Sequence, residues 1–227
     1  MIPRQVQNQF RNSKADVQIF YGAGDFGTTT TYSWTKPIGV SQIYMLLIGA
    51  GGPGDGATYG GNSGNITTWF GAAQNVPDYL KIAPAITAQL LGIGAQPSYI
   101  YYSGTSTNII LLQAGSGKVS GGANPADAAN AFASSGFYQN VLGQTGSGGQ
   151  ETASSTTFLS GGSATGITTA NYGYATNTSG AAHGYFMLQP IIVGVGGGGG
   201  SVSGAGLGCG GTLSGYGGQG MILIASW

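Results

Sequence analysis

Short runs of apolar and β-branched residues recur along this chain, separated by glycine, proline and small polar residues. Runs of this kind, bounded by turn residues, are typical of β-strands. In the first half they cover residues 16–21, 28–34, 40–48, 66–70, 79–82, 86–93, 99–102 and 109–114. Short strands at such regular spacing predict an all-β fold, and we expect a compact, jelly-roll-like β-sandwich with long glycine-rich loops.

Two further apolar runs, residues 191–195 and 221–225, bracket a glycine-rich stretch near the C-terminus that has no charge and no proline. Glycine loses more conformational entropy on ordering than any other residue, so such a stretch orders only when something packs against it. We therefore predict that backbone packs against backbone here, within the chain or against a partner chain. We expect the domain to close residues 34–48 against the two apolar runs.

The N-terminal residues differ from the strand pattern. Ile2, Val6 and Phe10 stand four residues apart among polar residues. This spacing fits a short amphipathic helix or an extended arm with apolar anchors. We interpret residues 1–20 as an arm that docks on a larger particle through these three side chains. Residues 21–227 would then form a single glycine-rich β domain.

A second departure lies in the middle of the chain. Asn124 and Pro125 precede several alanines, and proline is favoured at the first helical position while alanine has the highest helix propensity. This pattern predicts one short helix near residues 125–142. The helix would lie in a loop-rich insertion at about residues 119–185, much of which is Ser, Thr, Gly and Asn.

Charged residues are scarce: they make up 5% of the 227 residues, six basic and six acidic, and the net charge is zero. Nucleic-acid binding needs a basic surface, so this composition excludes it. Few charges also remove a source of solubility, so we expect a homo-oligomer or a subunit buried among other proteins. No run reaches the length of a membrane span and no signal peptide is visible. We expect synthesis in the cytoplasm and no membrane insertion.

Several glycine motifs have the spacing of nucleotide-binding loops without the other features that such loops need. Residues 22–27 and 49–54 have the glycine spacing of a dinucleotide-binding loop, but no helix-forming segment follows either of them. That motif needs a helix N-terminus facing the pyrophosphate. Residues 115–118 are similar to a phosphate-binding loop, yet Val119 stands where the loop has Ser or Thr. We predict no nucleotide cofactor.

The residues that usually carry catalysis are also scarce. His183 is the only histidine, Glu151 is the only glutamate, and neither lies in a catalytic pattern. The single cysteine, Cys209, excludes an internal disulfide and a cysteine cluster for a metal. We predict no enzymatic activity, no catalytic residue, no metal site and no cofactor.

Tyrosine residues carry the clearest binding signal. Tyrosine together with Asn, Ser and Gly is the composition of surfaces that bind sugars and proteins by stacking and hydrogen bonding. The alternative is that tyrosines in a strand fill the core. The candidate receptor- or glycan-binding residues are Tyr101, Tyr102, Asn171, Tyr172, Tyr174 and Tyr216.

Two segments carry a resemblance to a known family. Residues 28–56 contain Trp34, a turn at residues 37–40, a hydrophobic strand and then Gly-Ala-Gly-Gly at residues 49–52. The ending, YGGQGMILIASW, has a glycine loop, a hydrophobic strand and a final tryptophan. Both resemble the glycine-rich domain of bacteriophage tail-fibre and appendage proteins, and the chain is similar to the glycine-rich adhesins at the tips of phage long tail fibres. Ile38 departs from the family's Pro-Gly-Val turn, and residues 95–185 match no motif of it.

The resemblance implies a structural virion protein that is not an enzyme. It implies an oligomer, with a trimer as the expectation, held by capsid, portal-neck or tail proteins. Its loops would attach to the host surface, with a glycan as the expected receptor and a host protein as the other option. A capsid decoration or cement protein without receptor binding stays open as an alternative. An appendage-associated polysaccharide depolymerase stays open as a further one.

Overall fold

The structure is a computed structural model that describes residues 15–22, 30–52, 64–86, 97–104, 107–117, 132–141 and 218–227, together with the backbone alone of three strands between residues 173 and 196. Within these ranges, two short 3-10 turns occur, at Ala73–Asn75 and Ala133–Ser135. The strands are β1 Asp16–Tyr21, β2 Tyr32–Thr35, β3 Gln42–Ile48, β4 Ile66–Ala72, β5 Tyr79–Ala83, β6 Ser98–Ser103, β7 Asn108–Ala114, β8 Phe137–Val141, β9 Gly173–Tyr174, β10 Ala181–Leu188, β11 Ile191–Gly196 and β12 Met221–Ser226.

The strands form antiparallel sheets. The five-stranded sheet has the order β1-β12-β3-β4-β8, and the four-stranded sheet has the order β2-β5-β6-β7. The strands β11, β10 and β9 form a further sheet of their own. The chain changes sheet between β1 and β2, between β2 and β3, between β4 and β5, and between β7 and β8.

A hydrophobic core lies between the five-stranded and the four-stranded sheets. Alternate residues of each strand face it, as the period of two in a strand requires. The hydroxyl of Thr67 on β4 donates to the carbonyl of Gln113 on β7 at 2.9 Å and links the two sheets. The predicted all-β sandwich is therefore confirmed. The core residues include Trp34, Leu80, Ile82, Ile100 and Leu112 from one sheet and Ile43, Met45, Leu47, Trp69, Ile222 and Ile224 from the other.

The helix predicted near residues 125–142 needs a correction. Its described part contains only the 3-10 turn Ala133–Ser135, and residues 137–141 form the strand β8. β8 pairs with β4, and Trp69 of β4 stacks on Phe132 at 4.8 Å. Pairing with an existing strand and packing on a buried tryptophan outweigh local helix propensity. The insertion predicted at about 119–185 thus includes a strand of the main sheet.

The structure also differs from the sequence prediction in the placement of residues 191–195 and 16–20. The run 191–195 forms part of β11, which pairs with β10 across a two-residue connection and not with β3 or β12. Such a short hairpin satisfies backbone groups locally. Residues 16–20 of the predicted arm belong to β1 and pair with β12. Residues 1–14, with Ile2, Val6 and Phe10, lie outside the described residues, as does most of the predicted strand 86–93.

The two ends of the sandwich differ. At one end, called here the glycine end, β1, β3, β5, β7 and β8 finish while β2, β4, β6 and β12 begin. The segments 23–29, 53–63 and 87–96 connect strands at this end, and the chain from 142 to 217 leaves and returns there. The opposite end has the short connections 36–41, 73–78 and 104–107, the start of β1, and the start of β8, which the segment 115–136 reaches from the glycine end. The long glycine-rich segments are therefore attached to one end.

Backbone packs on backbone at the glycine end. Gly49 donates to the Asn65 carbonyl at 2.9 Å, Asn65 to the Gly115 carbonyl at 2.8 Å, and Gly51 to the Gly218 carbonyl at 2.8 Å. A Cβ at Gly49 would overlap the Gly115 carbonyl oxygen. Glycine is required because only a residue without Cβ permits so close an approach. The predicted packing is thus present at residues 218–220 of the C-terminal stretch, and residues 197–217 lie outside the described part.

Candidate functional site

Three tyrosines share the outer face of the four-stranded sheet. On β5 and β6, Ile82 and Ile100 are directly opposite each other and fully buried in the core. The residues on either side of them must therefore point outward. The outward residues Tyr79, Lys81, Tyr99 and Tyr101 form what we call the tyrosine face, with Lys81 directly opposite Tyr101.

The tyrosine face combines exposed ring surface with polar groups. Tyr79 is 73% exposed, while Tyr99 and Tyr101 are half-buried against their neighbours. Burial raises the pKa of the Tyr99 phenol above its usual value. The Lys81 ammonium donates to the Ser33 hydroxyl on β2 at 2.9 Å. Flat rings beside hydroxyl and ammonium groups can stack on a sugar ring and bond its hydroxyls.

A pocket adjoins this face where β2 ends, β5 begins and β6 ends. Its volume of about 480 Å³ is typical of small-molecule sites, which span about 300–1,000 Å³. The Asp78 carboxylate at its rim is 72% exposed and accepts from the Lys36 ammonium at 2.8 Å. Hydrogen-bond donors and acceptors are therefore both available to a hydroxyl-rich ligand. The polar side chains of the lining are Ser33, Thr35, Asp78, Tyr79, Lys81, Tyr102 and Ser103.

The structure places the tyrosines that we predicted from the sequence as binding residues in different parts of the fold. Tyr101 lies on the tyrosine face, but its neighbour Tyr102 points to the other side of the sheet, where it packs against the core and also lines the pocket. Tyr174 lies in β9, of which only the backbone pairing with β10 is described. Asn171, Tyr172 and Tyr216 lie outside the described residues, so the six candidates cannot be placed in one group.

Sequence reasoning missed Tyr79, Lys81 and Tyr99 as site residues. The signal was present in the alternation of Tyr99, Ile100 and Tyr101, because a buried isoleucine between two tyrosines sends both tyrosines outward. In β5, the buried Leu80 likewise lies between Tyr79 and Lys81, so both of these side chains point outward. The sequence does not reveal that β5 and β6 are neighbours, and that pairing brings the two sets together.

A second group of exposed aromatic side chains lies on the outer face of the five-stranded sheet. The Phe70 ring lies between Trp227, at a centroid distance of 5.8 Å, and Phe137, at 6.4 Å. Both pairs are nearly parallel, and Phe137 is 82% exposed. Exposed, stacked aromatic rings of this kind are enriched at protein–protein contacts.

Within the described ranges, no three His, Cys, Asp or Glu side chains lie close enough together to hold a metal ion. The same ranges contain no helix that is long and apolar enough to cross a membrane.

A scan against known protein families finds no family that matches the chain, and a search of curated proteins finds no matching relative.

Proposed function

We propose that this chain is a bacteriophage virion protein, a component of an appendage or fibre, that attaches the particle to glycans on the host surface through the tyrosine face. The observation that carries this proposal is the row of Tyr79, Tyr99 and Tyr101 beside Lys81 on an exposed sheet face. Aromatic rings that are held by a rigid sheet bind sugar rings with little loss of side-chain entropy.

The polarity of the sandwich supports the same proposal. The long glycine-rich segments are attached to the glycine end, while β1 begins at the opposite end. Residues 1–14 precede β1, so an arm that docks on the particle would hold the opposite end. The glycine end and the side of the sandwich that bears the tyrosine face would then be free to meet the host. The virion assignment itself rests on the sequence resemblance of residues 28–56 and of the C-terminal ending.

Glycan-array screening of the purified chain, followed by calorimetric titration of the best ligand, tests the proposal. We expect Tyr101→Ala and Tyr79→Ala to weaken binding about two- to twelvefold each, because one aromatic contact contributes about 0.5–1.5 kcal/mol. Phe137→Ala is the control, since it removes an exposed aromatic ring from the other sheet. A chain that binds no glycan, or equal losses in all three variants, would contradict the proposal.

A capsid decoration protein without a receptor is the second candidate. The apolar side chains that the five-stranded sheet exposes favour it, namely Val17, Ile19 and Phe137 at 40%, 43% and 82%. Exposed apolar groups of this kind are typical of protein interfaces. Cryo-EM of the intact particle separates the candidates: density repeated over the capsid lattice supports decoration, and density at a fibre or spike tip supports attachment.

A further inference from the structure

Among the described strands, β1 pairs only with β12 and forms an edge of the five-stranded sheet. The outer side of this edge strand has a defined set of backbone groups. The Gly22 amide donates to the Gly220 carbonyl at 3.1 Å, which extends the β1–β12 ladder by one hydrogen bond beyond Tyr21 and Met221. Hydrogen-bonded pairs alternate along an antiparallel ladder. Residues 16, 18 and 20 therefore bond β12, and Val17, Ile19 and Tyr21 direct their N–H and C=O groups away from the sheet. The Tyr21 carbonyl accepts from the Tyr32 hydroxyl at 3.2 Å on that side.

The side chains of the same three residues form an exposed apolar row. Val17, Ile19 and Tyr21 are 40%, 43% and 48% exposed on the outer face of the sheet. The polar residues Asp16 and Gln18 point to the inner side, where the Gln18 amide donates to the Asp16 carboxylate at 2.8 Å. A strand at an edge that faces solvent usually exposes polar side chains and turns apolar ones inward, whereas β1 exposes Val17, Ile19 and Tyr21 and turns Asp16 and Gln18 inward. β1 also lacks the lysine and proline that commonly protect sheet edges from further pairing.

We propose that β1 pairs with β1 of a second copy, antiparallel, across a two-fold axis at Ile19. This pairing would join two five-stranded sheets into one ten-stranded sheet. Val17 would lie opposite Tyr21 of the second copy, and Ile19 opposite Ile19 of the second copy. All three direct their backbone groups toward the second copy, so each pair is a hydrogen-bonded one. The Tyr21 carbonyl, which already accepts from the Tyr32 hydroxyl, has a second lone pair for this bond. Aromatic and β-branched residues are favourable cross-strand partners.

The register and the occupant are both determined by β1 itself. A shift by one residue would place the free groups of one strand opposite residues that already bond β12, and a shift by two would leave one of the three residues unpaired. At the Ile19 register Asp16 faces Gly22 of the second copy, so the two carboxylates stay apart. A strand that is complementary to itself fits the closed two-fold symmetry of most homo-oligomers. The net charge of zero adds no repulsion between copies.

This inference does not depend on glycan binding, because the tyrosine face lies on the other sheet. It replaces the trimer expected from the family resemblance with a two-fold assembly. Failure of the pairing would leave the glycan-binding test unaffected, and a chain that binds no glycan could still pair through β1.

Light scattering coupled to size-exclusion chromatography tests the pairing. We expect two chains for the wild type and one chain for Ile19→Lys, because two lysines would meet at the axis and like charges directly opposite destabilise a strand pair. Ile38→Lys is the matched control, since Ile38 is a fully exposed isoleucine in the turn before β3, and it should remain a dimer. Circular dichroism checks that both variants fold. A monomeric or trimeric wild type, or a dimeric Ile19→Lys, overturns the proposal.

Cross-linking tests the register. Residues of a hydrogen-bonded antiparallel pair have Cα atoms about 5.5 Å apart, and a disulfide accepts about 4.4–6.8 Å. In a Cys209→Ser background, Ile19→Cys should form a covalent dimer under mild oxidation, and Ile38→Cys should not. Equal cross-linking of the two variants, or none at residue 19, overturns the register.

Discussion

Gly220 offers a direct test of how the glycine end is held together. It lies just before β12, where its amide donates to the Ala85 carbonyl at 2.8 Å and its carbonyl accepts from the Gly22 amide. A Cβ added at Gly220 would lie 2.5 Å from the Ile48 carbonyl oxygen, 2.6 Å from the Ser98 hydroxyl and 2.9 Å from the Ala85 Cβ. The first neighbour is backbone and cannot rotate away, so Gly220→Ala forces the strands apart.

The expected loss can be estimated from the bonds that would lengthen. Besides the two bonds of Gly220, the Ser98 hydroxyl accepts from the Ala85 amide at 2.9 Å and donates to the Ile48 carbonyl at 2.7 Å. Each buried bond contributes about 0.5–1.5 kcal/mol, and overpacking costs about 1–3 kcal/mol. Since relaxation will lengthen these bonds without breaking them all, we expect Gly220→Ala to lower the free energy of unfolding by about 2–4 kcal/mol.

The assay is equilibrium unfolding in urea, with Gly39→Ala as the control. Gly39 has a positive φ of 85°, but no heavy atom lies within 4 Å of an added Cβ. Gly39→Ala should therefore lower the free energy of unfolding only by the strain of alanine in the left-handed conformation, about 1–2 kcal/mol. Ser98→Ala combined with Gly220→Ala should cost less than the two separate losses added together, because both act on the same bonds. A loss for Gly220→Ala no larger than that for Gly39→Ala, or fully additive losses, would refute this reasoning.

Two further predictions concern charge and pH. Lys36→Met should lower the free energy of unfolding by about 1–3 kcal/mol, because the Lys36 ammonium donates to the Ala73 and Val76 carbonyls at 3.1 and 2.7 Å. Asp78→Asn should lower it by less than about 1 kcal/mol, since that carboxylate is exposed. Equal losses for the two variants in urea unfolding would contradict this prediction. Burial raises the pKa of Tyr44 from 10.0 to about 12, so the unfolded chain ionises first and stability falls as the pH rises from 10 to 12; Tyr44→Phe should show a flatter loss over that range, and an unchanged slope would argue against it.

The sequence alone was sufficient to predict the fold class and most strand positions. Alternation and β-branched runs depend only on local order, so the predicted runs 16–21, 66–70 and 109–114 coincide closely with β1, β4 and β7. The requirement of glycine for close backbone approach was also readable from composition. Local pattern could not reveal that residues 137–141 would become a strand, because the β4 edge that they pair with is distant in the chain.

The candidate site depended more on tertiary structure. The sequence placed Tyr101 and Tyr102 together, although adjacent residues of a strand face opposite sides, and only Tyr101 lies on the tyrosine face. Tyr79 and Lys81 joined it through the pairing of β5 with β6, which a one-dimensional pattern does not specify. The edge position of β1 among the described strands likewise results from long-range pairing in the five-stranded sheet. Local sequence determined which residues are strands and which way each side chain alternates, and long-range pairing decided which of those side chains share a surface.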